Sequence, residues 1–387
     1  MVIFQAIPKI AFFWSTCRAA RGAISISTAT RPLPANALPW VTWGKAMASQ
    51  VIVWHHLLIY GPLASSMQSL WPTVTAFLQQ HGRLAVQVFL VTGGFLAARS
   101  LWPSPGAPRV TWRDWPARVL ARYLRLLPML LLALAVAVAA AALARAWMTD
   151  PDTPAAPTLT QLLAHILLLQ DIVGLPALSA GVWYVAIDWQ LFALLAALTA
   201  LARVLIQGRS TTTRVAIGAL PLAVGVALSL AWFNRQPAGD IWAPYFLGAY
   251  GLGVLAAWGQ QSRQRMGATA LLTALTALAL WLDWRERIAL AGVTALILLW
   301  QPWAGALTRW RLHALMSWLA AISYAVFLLH YPLSLAVNAL VMRLTPATPG
   351  WRLGGLAATW LLSLACGWLA WRWLEEARPR SNLAPRP

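Results

Sequence analysis

The chain is predicted to be an all-α polytopic membrane protein, with about ten transmembrane helices and one short helix that does not cross. Three observations predict this. Of 387 residues, 60% are hydrophobic and only 10% are charged, whereas a soluble domain carries about 25% charged residues. Apolar runs recur from Val51 to Leu374, many near the ~20 residues a helix needs to span a bilayer. The basic residues are sorted by loop, as the positive-inside rule requires. This composition excludes a water-soluble enzyme, a disordered chain, a collagen-like chain and a small disulfide-rich scaffold. Two cysteines, Cys17 and Cys366, cannot build a disulfide framework. The 25 tryptophans suit interfacial belts.

Taken in order, residues 1–43 read as an N-terminal cytoplasmic tail of little regular order. Met1–Phe13 is apolar but short and holds Lys9. No basic region precedes it, as one would in a signal peptide. The spacing predicts spans over 46–65, 84–101, 122–146, 183–206, 215–233, 241–258, 267–282, 287–303, 316–342 and 352–373. The stretch 159–173 is shorter and holds Gln161, His165, Gln170 and Asp171. It decides the topology. If it does not cross, both termini lie inside with 22 of the 29 Lys and Arg, leaving seven outside. If it crosses, every later loop changes side and the bias nearly vanishes. The expectation is therefore a partly inserted or interfacial helix on the outer side, after the acidic, proline-rich loop Asp150–Pro157. Residues 44–376 form one membrane domain, and 377–387 a cytoplasmic C-terminal tail. The net charge of +19 then belongs to cytoplasmic loops and membrane lipids rather than to a nucleic-acid surface.

Ionisable side chains inside spans are costly and mark functional positions. His55 and His56 lie near the middle of the first expected span, Asp188 early in the fourth and His330 midway along the ninth. Each alone reads as a packed, hydrogen-bonded side chain. Together, on three helices, they read equally well as one interior pocket. Arg118, Arg122 and Arg125 recur at i, i+4, i+7 and share a helix face. They read either as a lipid-headgroup anchor or as a phosphate clamp built on planar guanidinium forks. Imidazole in a dry cavity is a suitable general base near neutral pH. These parts suit group transfer from a phosphorylated carrier to a hydroxyl, and they also suit a proton-coupled carrier. No Gly-x-Ser-x-Gly elbow, Walker loop, dinucleotide fingerprint or zinc-ligand pair occurs.

The ordered motifs resemble those of the acyltransferase-3 family of integral membrane O-acyltransferases over about residues 44–378. The family places Arg some eleven positions before a first-span His; here Lys45 precedes His56. Lysine keeps the charge but lacks the planar fork. The family stretch Gly-Val-Asp-x-Phe-Phe-x-x-Ser-Gly-Phe-Leu is similar to Ala85–Leu96, with Gln87 for the aspartate and Gly93 for the serine. Arg-x-x-Arg-x-x-Pro is matched in full by Arg122, Arg125 and Pro128. Trp-Ser-Leu-x-x-Glu resembles Trp183–Asp188, and Ser-Tyr-x-x-Tyr-Leu-x-His-x-Pro resembles Ser323–Pro332, with Phe327 for the second tyrosine. The closing Glu before a proline is approximated by Glu375, Glu376 and Pro379.

The resemblance implies ten spans and transfer of an acyl group, typically acetyl, from acyl-CoA on the cytoplasmic side. The acceptor would be a hydroxyl of a cell-surface saccharide or glycolipid, and the location the plasma membrane (the inner membrane of a bacterium). It implies His56 as general base, with His55 as its alternative in register, and Asp188 and His330 in supporting catalytic roles. Lys45, Arg122 and Arg125 would bind the donor, with Gln87, Trp183 and Tyr324 also in the substrate site. No metal and no bound cofactor are implied; acyl-CoA (acetyl-CoA) is a co-substrate. A separate extracytoplasmic protein that accepts the acyl group is a further implied partner. A multi-span carrier for a saccharide or lipid-linked precursor is the alternative, and a non-catalytic relative a third reading.

Overall fold

The computed structural model describes residues 38–261 and 265–376. Most of the expected N-terminal tail and all of 377–387 lie outside those residues. The described residues form helices and connectors, with no strand among them. In chain order the helices are α1 Pro39–Ile59, α2 Ala64–Leu70, α3 Pro72–His81, α4 Ala85–Leu101, α5 Trp115–Trp147, α6 Leu159–Ile166 and α7 Val182–Leu205. There follow α8 Thr211–Ala231, α9 Ala243–Gln261, α10 Arg265–Leu282, α11 Glu286–Trp300, α12 Ala304–Arg309, α13 His313–Leu344 and α14 Pro349–Trp371. A long helix stands at each of the ten expected places. Among the described residues, seven helical stretches are long and apolar enough to cross a membrane. The other three long helices fall short for visible reasons. α1 carries Lys45, Gln50, His55 and His56; α9 is diluted by Pro244, four glycines and Gln260; α11 has only 15 residues.

Two starts differ most from expectation. α1 begins at Pro39, not at 46. Proline fits the first turn of a helix, and the Trp40 indole N–H anchors that turn on the Pro302 carbonyl at 2.6 Å. Lys45 therefore sits inside the helix. α5 begins at Trp115, not at 122, again with proline in the first turn. Arg118, Arg122 and Arg125 are therefore interior positions of one helix face.

Side-chain contacts give the relative directions of the helices. Trp43 meets His313 and His56 meets His330, so α1 and α13 run the same way. Tyr324 reaches the Leu126 carbonyl, and Tyr331 and Leu335 pack with Ala140 and Ala144, so α5 runs with them. Trp189 bonds to the Val119 carbonyl and Trp115 to the Ala193 carbonyl, so α7 runs against α5. These directions leave no room for a crossing between α5 and α7. α6, at eight residues, is only ~12 Å long.

The segment around α6 packs into the bundle, as a partly inserted helix would. The Tyr123 hydroxyl donates to the Ile166 carbonyl at 2.8 Å, well inside α5. α7 starts beside Phe327, in the middle of α13, because a Cβ at Gly181 would lie 2.9 Å from the Phe327 carbonyl. Residues 167–181 connect α6 to α7 with little regular helix. Non-helical backbone survives at such depth only where protein satisfies its polar groups. Here His165 does so, with Nδ1 on the Gln161 carbonyl at 2.7 Å and Nε2 accepting from the Leu178 N–H at 3.0 Å.

Among the seven candidate spans α13 is the most enclosed, and it packs on α1, α5 and α14. α4 and α9 approach closely through glycines: a Cβ at Gly94 would run into the Tyr250 carbonyl, and one at Gly253 into that of Val91. Small residues permit such approach between membrane helices. Trp281, Trp284, Trp303 and Trp373 stand exposed at or just beyond helix ends, where an aromatic belt would sit.

Candidate active site

Lys45 and His56 are eleven residues apart on α1. At 3.6 residues per turn they share a face, separated along the axis by ~16 Å. His56 lies at the C-terminal end of this face. Its Nδ1 is 2.6 Å from Nε2 of His330 on α13, and Nδ1 of His330 is 3.2 Å from the Val326 carbonyl one turn below. The two imidazole planes differ by 8° and their centroids are 4.9 Å apart. That separation matches the N···N distance plus the two ring radii. The rings therefore lie edge to edge in nearly one plane, as an in-line hydrogen bond requires, and are not face-stacked. His330 is fully buried and His56 nearly so. His55 is separate. Its Nδ1 is 2.9 Å from the Leu78 carbonyl, and its ring abuts Gly82.

A second group lies nearer the start of α13. Arg122 donates to Asp188 at 2.6 Å and rests over the Phe192 ring at 5.5 Å. Tyr184 shares the Asp188 face of α7 at i−4. Tyr184, Tyr250 and Tyr324 all lie within electrostatic range of Arg122. Lys45 joins the group from α1, in the field of Glu375, Arg125 and Arg122. The Nε donors of Arg118 and Arg122, one turn apart, are buried with no hydrogen-bond partner among the described residues. A buried orphan donor calls for an acceptor that the protein does not supply.

The two groups lie at different levels of α13. Tyr324 and His330 differ by six residues on α13, ~9 Å along its axis. Between them stands an aromatic layer. Phe327 lies 5.5 Å from Tyr184 and 6.0 Å from His330, and Phe89 lies 6.1 Å from Tyr184 and 6.3 Å from Phe327. Thus His56 and His330 come together, as do Arg122, Asp188, Tyr324, Lys45 and Arg125. Trp183 turns instead toward Phe246, at 5.9 Å. Gln87 is buried on α4. Two clefts of about 310 and 320 Å³ open elsewhere, one beside Trp115 and Trp189 and one beside Arg203 and Arg214.

Tyr250, Tyr184 and Phe327 do not stand out in the sequence as site residues. Tyr250 reaches the site because Gly93 faces it. A Cβ there would lie 3.3 Å from the Tyr250 ring and 3.9 Å from an Asp188 oxygen. Tyr250 falls in the run Gly248–Gly253, whose glycines are the one sequence signal of close helix approach. Among the described residues, no three His, Cys, Asp or Glu side chains are grouped so as to hold a metal ion.

The profile of an acyltransferase domain family matches residues 38–371, from the cap residue of α1 to the last residue of α14. The chain belongs to the acyltransferase-3 family. No curated protein and no solved structure matches it in the same comparisons. Membership makes the chain a membrane acyltransferase, in agreement with its seven candidate membrane helices. His56, Arg122, Asp188, Tyr324 and His330, which carry the acyltransferase-3 resemblance, fall in the two polar groups of the bundle.

Proposed function

We propose that this acyltransferase moves an acyl group, acetyl being the simplest, from acyl-CoA on the cytoplasmic side to a hydroxyl of a cell-surface saccharide or glycolipid. In this reading the ten long helices all cross the plasma membrane of a bacterium and both termini are cytoplasmic. The observation that carries it is the layering of the site. A buried imidazole lies ~9 Å, along α13, from a cationic group in which Nε of Arg122 has no hydrogen-bond partner among the described residues.

The donor's phosphates are drawn to Lys45, Arg122 and Arg125, because guanidinium and ammonium groups favour phosphate oxygens. Asp188 holds Arg122 in place through the 2.6 Å bond. The pantetheine arm is long enough to carry the thioester past Phe327 to the histidines. There the acceptor hydroxyl oxygen attacks the thioester carbon while His56 Nε2 takes its proton. The tetrahedral oxyanion collapses, the C–S bond breaks, and the imidazolium returns the proton to the leaving thiolate. An O-ester and free CoA thiol result, with charge and atoms conserved.

Variants of a strain lacking its own copy test this reading. NMR of surface saccharide should show O-acetyl signals with wild-type protein and with His55→Ala, but none with His56→Ala at equal membrane abundance. Retained signals with His56→Ala would remove the base.

A further inference from the structure

We propose that His330 is a positioning residue that fixes the tautomer of His56 and so leaves His56 Nε2 as the basic nitrogen. The proposal rests on the acyl-transfer reading and deepens it.

The argument is one of donor and acceptor counting. The Val326 carbonyl can only accept a hydrogen bond. The His330 nitrogen facing it, Nδ1 at 3.2 Å, must therefore carry the proton. In a neutral ring the other nitrogen, Nε2, is then a lone pair. That lone pair lies 2.6 Å from His56 Nδ1, so His56 Nδ1 must carry a proton and donate it. The near-coplanar rings suit this bond. By elimination His56 Nε2 is unprotonated. The reverse assignment needs either two lone pairs facing each other at Val326 or a doubly protonated His330. A charged ring at a fully buried position is costly. Among the described residues Nε2 of His56 has no hydrogen-bond partner, and it is not among the sealed polar atoms. It is the nitrogen left to meet a substrate.

A carboxylate could orient an imidazole in the same way. Here the orienting group is neutral, so the resting pair brings no charge into the membrane interior. When His56 takes a proton, its Nδ1–H stays on the His330 lone pair, and the cation forms against an acceptor already in place.

The test uses the full chain in detergent micelles with ¹⁵N-labelled histidine, assigned through His56→Gln. In the wild type, His56 and His330 should each show a protonated Nδ1 and a lone-pair Nε2. In His330→Leu the His56 signal should shift toward the Nε2-protonated form. Acyl transfer from acetyl-CoA should then fall by about a hundredfold or more in kcat, with KM for acetyl-CoA within a few-fold of wild type. His330→Gln restores an acceptor oxygen near the lost Nε2 and should recover at least a tenth of the loss. A protonated Nε2 on wild-type His56, or a glutamine variant no better than leucine, would overturn the proposal. Absence of acyl transfer by the wild type would instead remove the acyl-transfer reading, while the nitrogen shifts would still decide the tautomer.

Discussion

Arg122 and Asp188 meet at 2.6 Å across the α5–α7 contact. Each was legible as a candidate from its place in an apolar helix, yet their pairing changes what each can do. Arg122 gives Nη2 to Asp188, while its Nε has no hydrogen-bond partner among the described residues. Asp188 is committed to Arg122, so it is not the partner of an imidazole.

This pair should couple strongly. Arg122 is 30% exposed and Asp188 13%, so solvent moderates the ~3–5 kcal/mol typical of breaking a buried pair. Asp188→Ala should destabilise the protein by leaving Arg122 without its countercharge. Adding Arg122→Ala should recover part of that loss. Thermal unfolding in detergent should give a coupling of about 1–3 kcal/mol in the double-mutant cycle. Additive losses would mean that the two side chains act independently.

Glycine replacements should divide by position. Gly94→Ala drives a methyl into the Tyr250 carbonyl and should cost about 1–3 kcal/mol by overpacking. Gly267→Ala on α10 meets nothing within 4 Å and should gain about 0.5–1 kcal/mol from helix propensity. Thermal midpoints of the two variants should move in opposite directions. A tolerated Gly94→Ala would contradict the close approach of α4 and α9.

His165 gives a pH dependence with a definite sign. Burial lowers its imidazole from the ordinary 6.5, and its Nε2 accepts from the Leu178 N–H, so the folded state holds it neutral. The unfolded chain takes up a proton below about 6.5. Its stabilising contribution is therefore full above that pH and declines as the pH falls toward the lowered folded value. Between pH 7.5 and 5 the wild type should lose more thermal stability than His165→Gln. Equal losses would show that the His165 bonds do not depend on charge state.

Topology follows from the same directions. A reporter placed within Gly208–Thr213, between α7 and α8, should report the cytoplasmic side, and one within Gln236–Asp240, between α8 and α9, the opposite side. Both reporters on one side would break the alternation.

Much of this was readable in the residues. The arginine face follows from i, i+4, i+7 spacing, and the short, polar 159–173 stretch marks a helix that does not cross. Other features depend on packing that one-dimensional periodicity does not carry. The α1 start at Pro39 was hidden because Lys45 interrupts the apolar run, although the bundle interior rather than lipid receives its charge. The depth of the α6 segment depends on Tyr123 and His165, whose partners are backbone groups. Tyr250 sits in a glycine-rich apolar run and enters the site only because Gly93 lacks a side chain. Phe327 replaces a tyrosine of the family pattern, and only the fold shows it standing between the two polar groups.

The most direct measurement is acyl transfer by the purified protein in liposomes, with acetyl-labelled acetyl-CoA and a saccharide acceptor. The account predicts label in an ester on a saccharide hydroxyl, one free CoA thiol per ester, and neither product with His56→Ala. Saccharide crossing the bilayer unmodified, with the thioester intact, would contradict it.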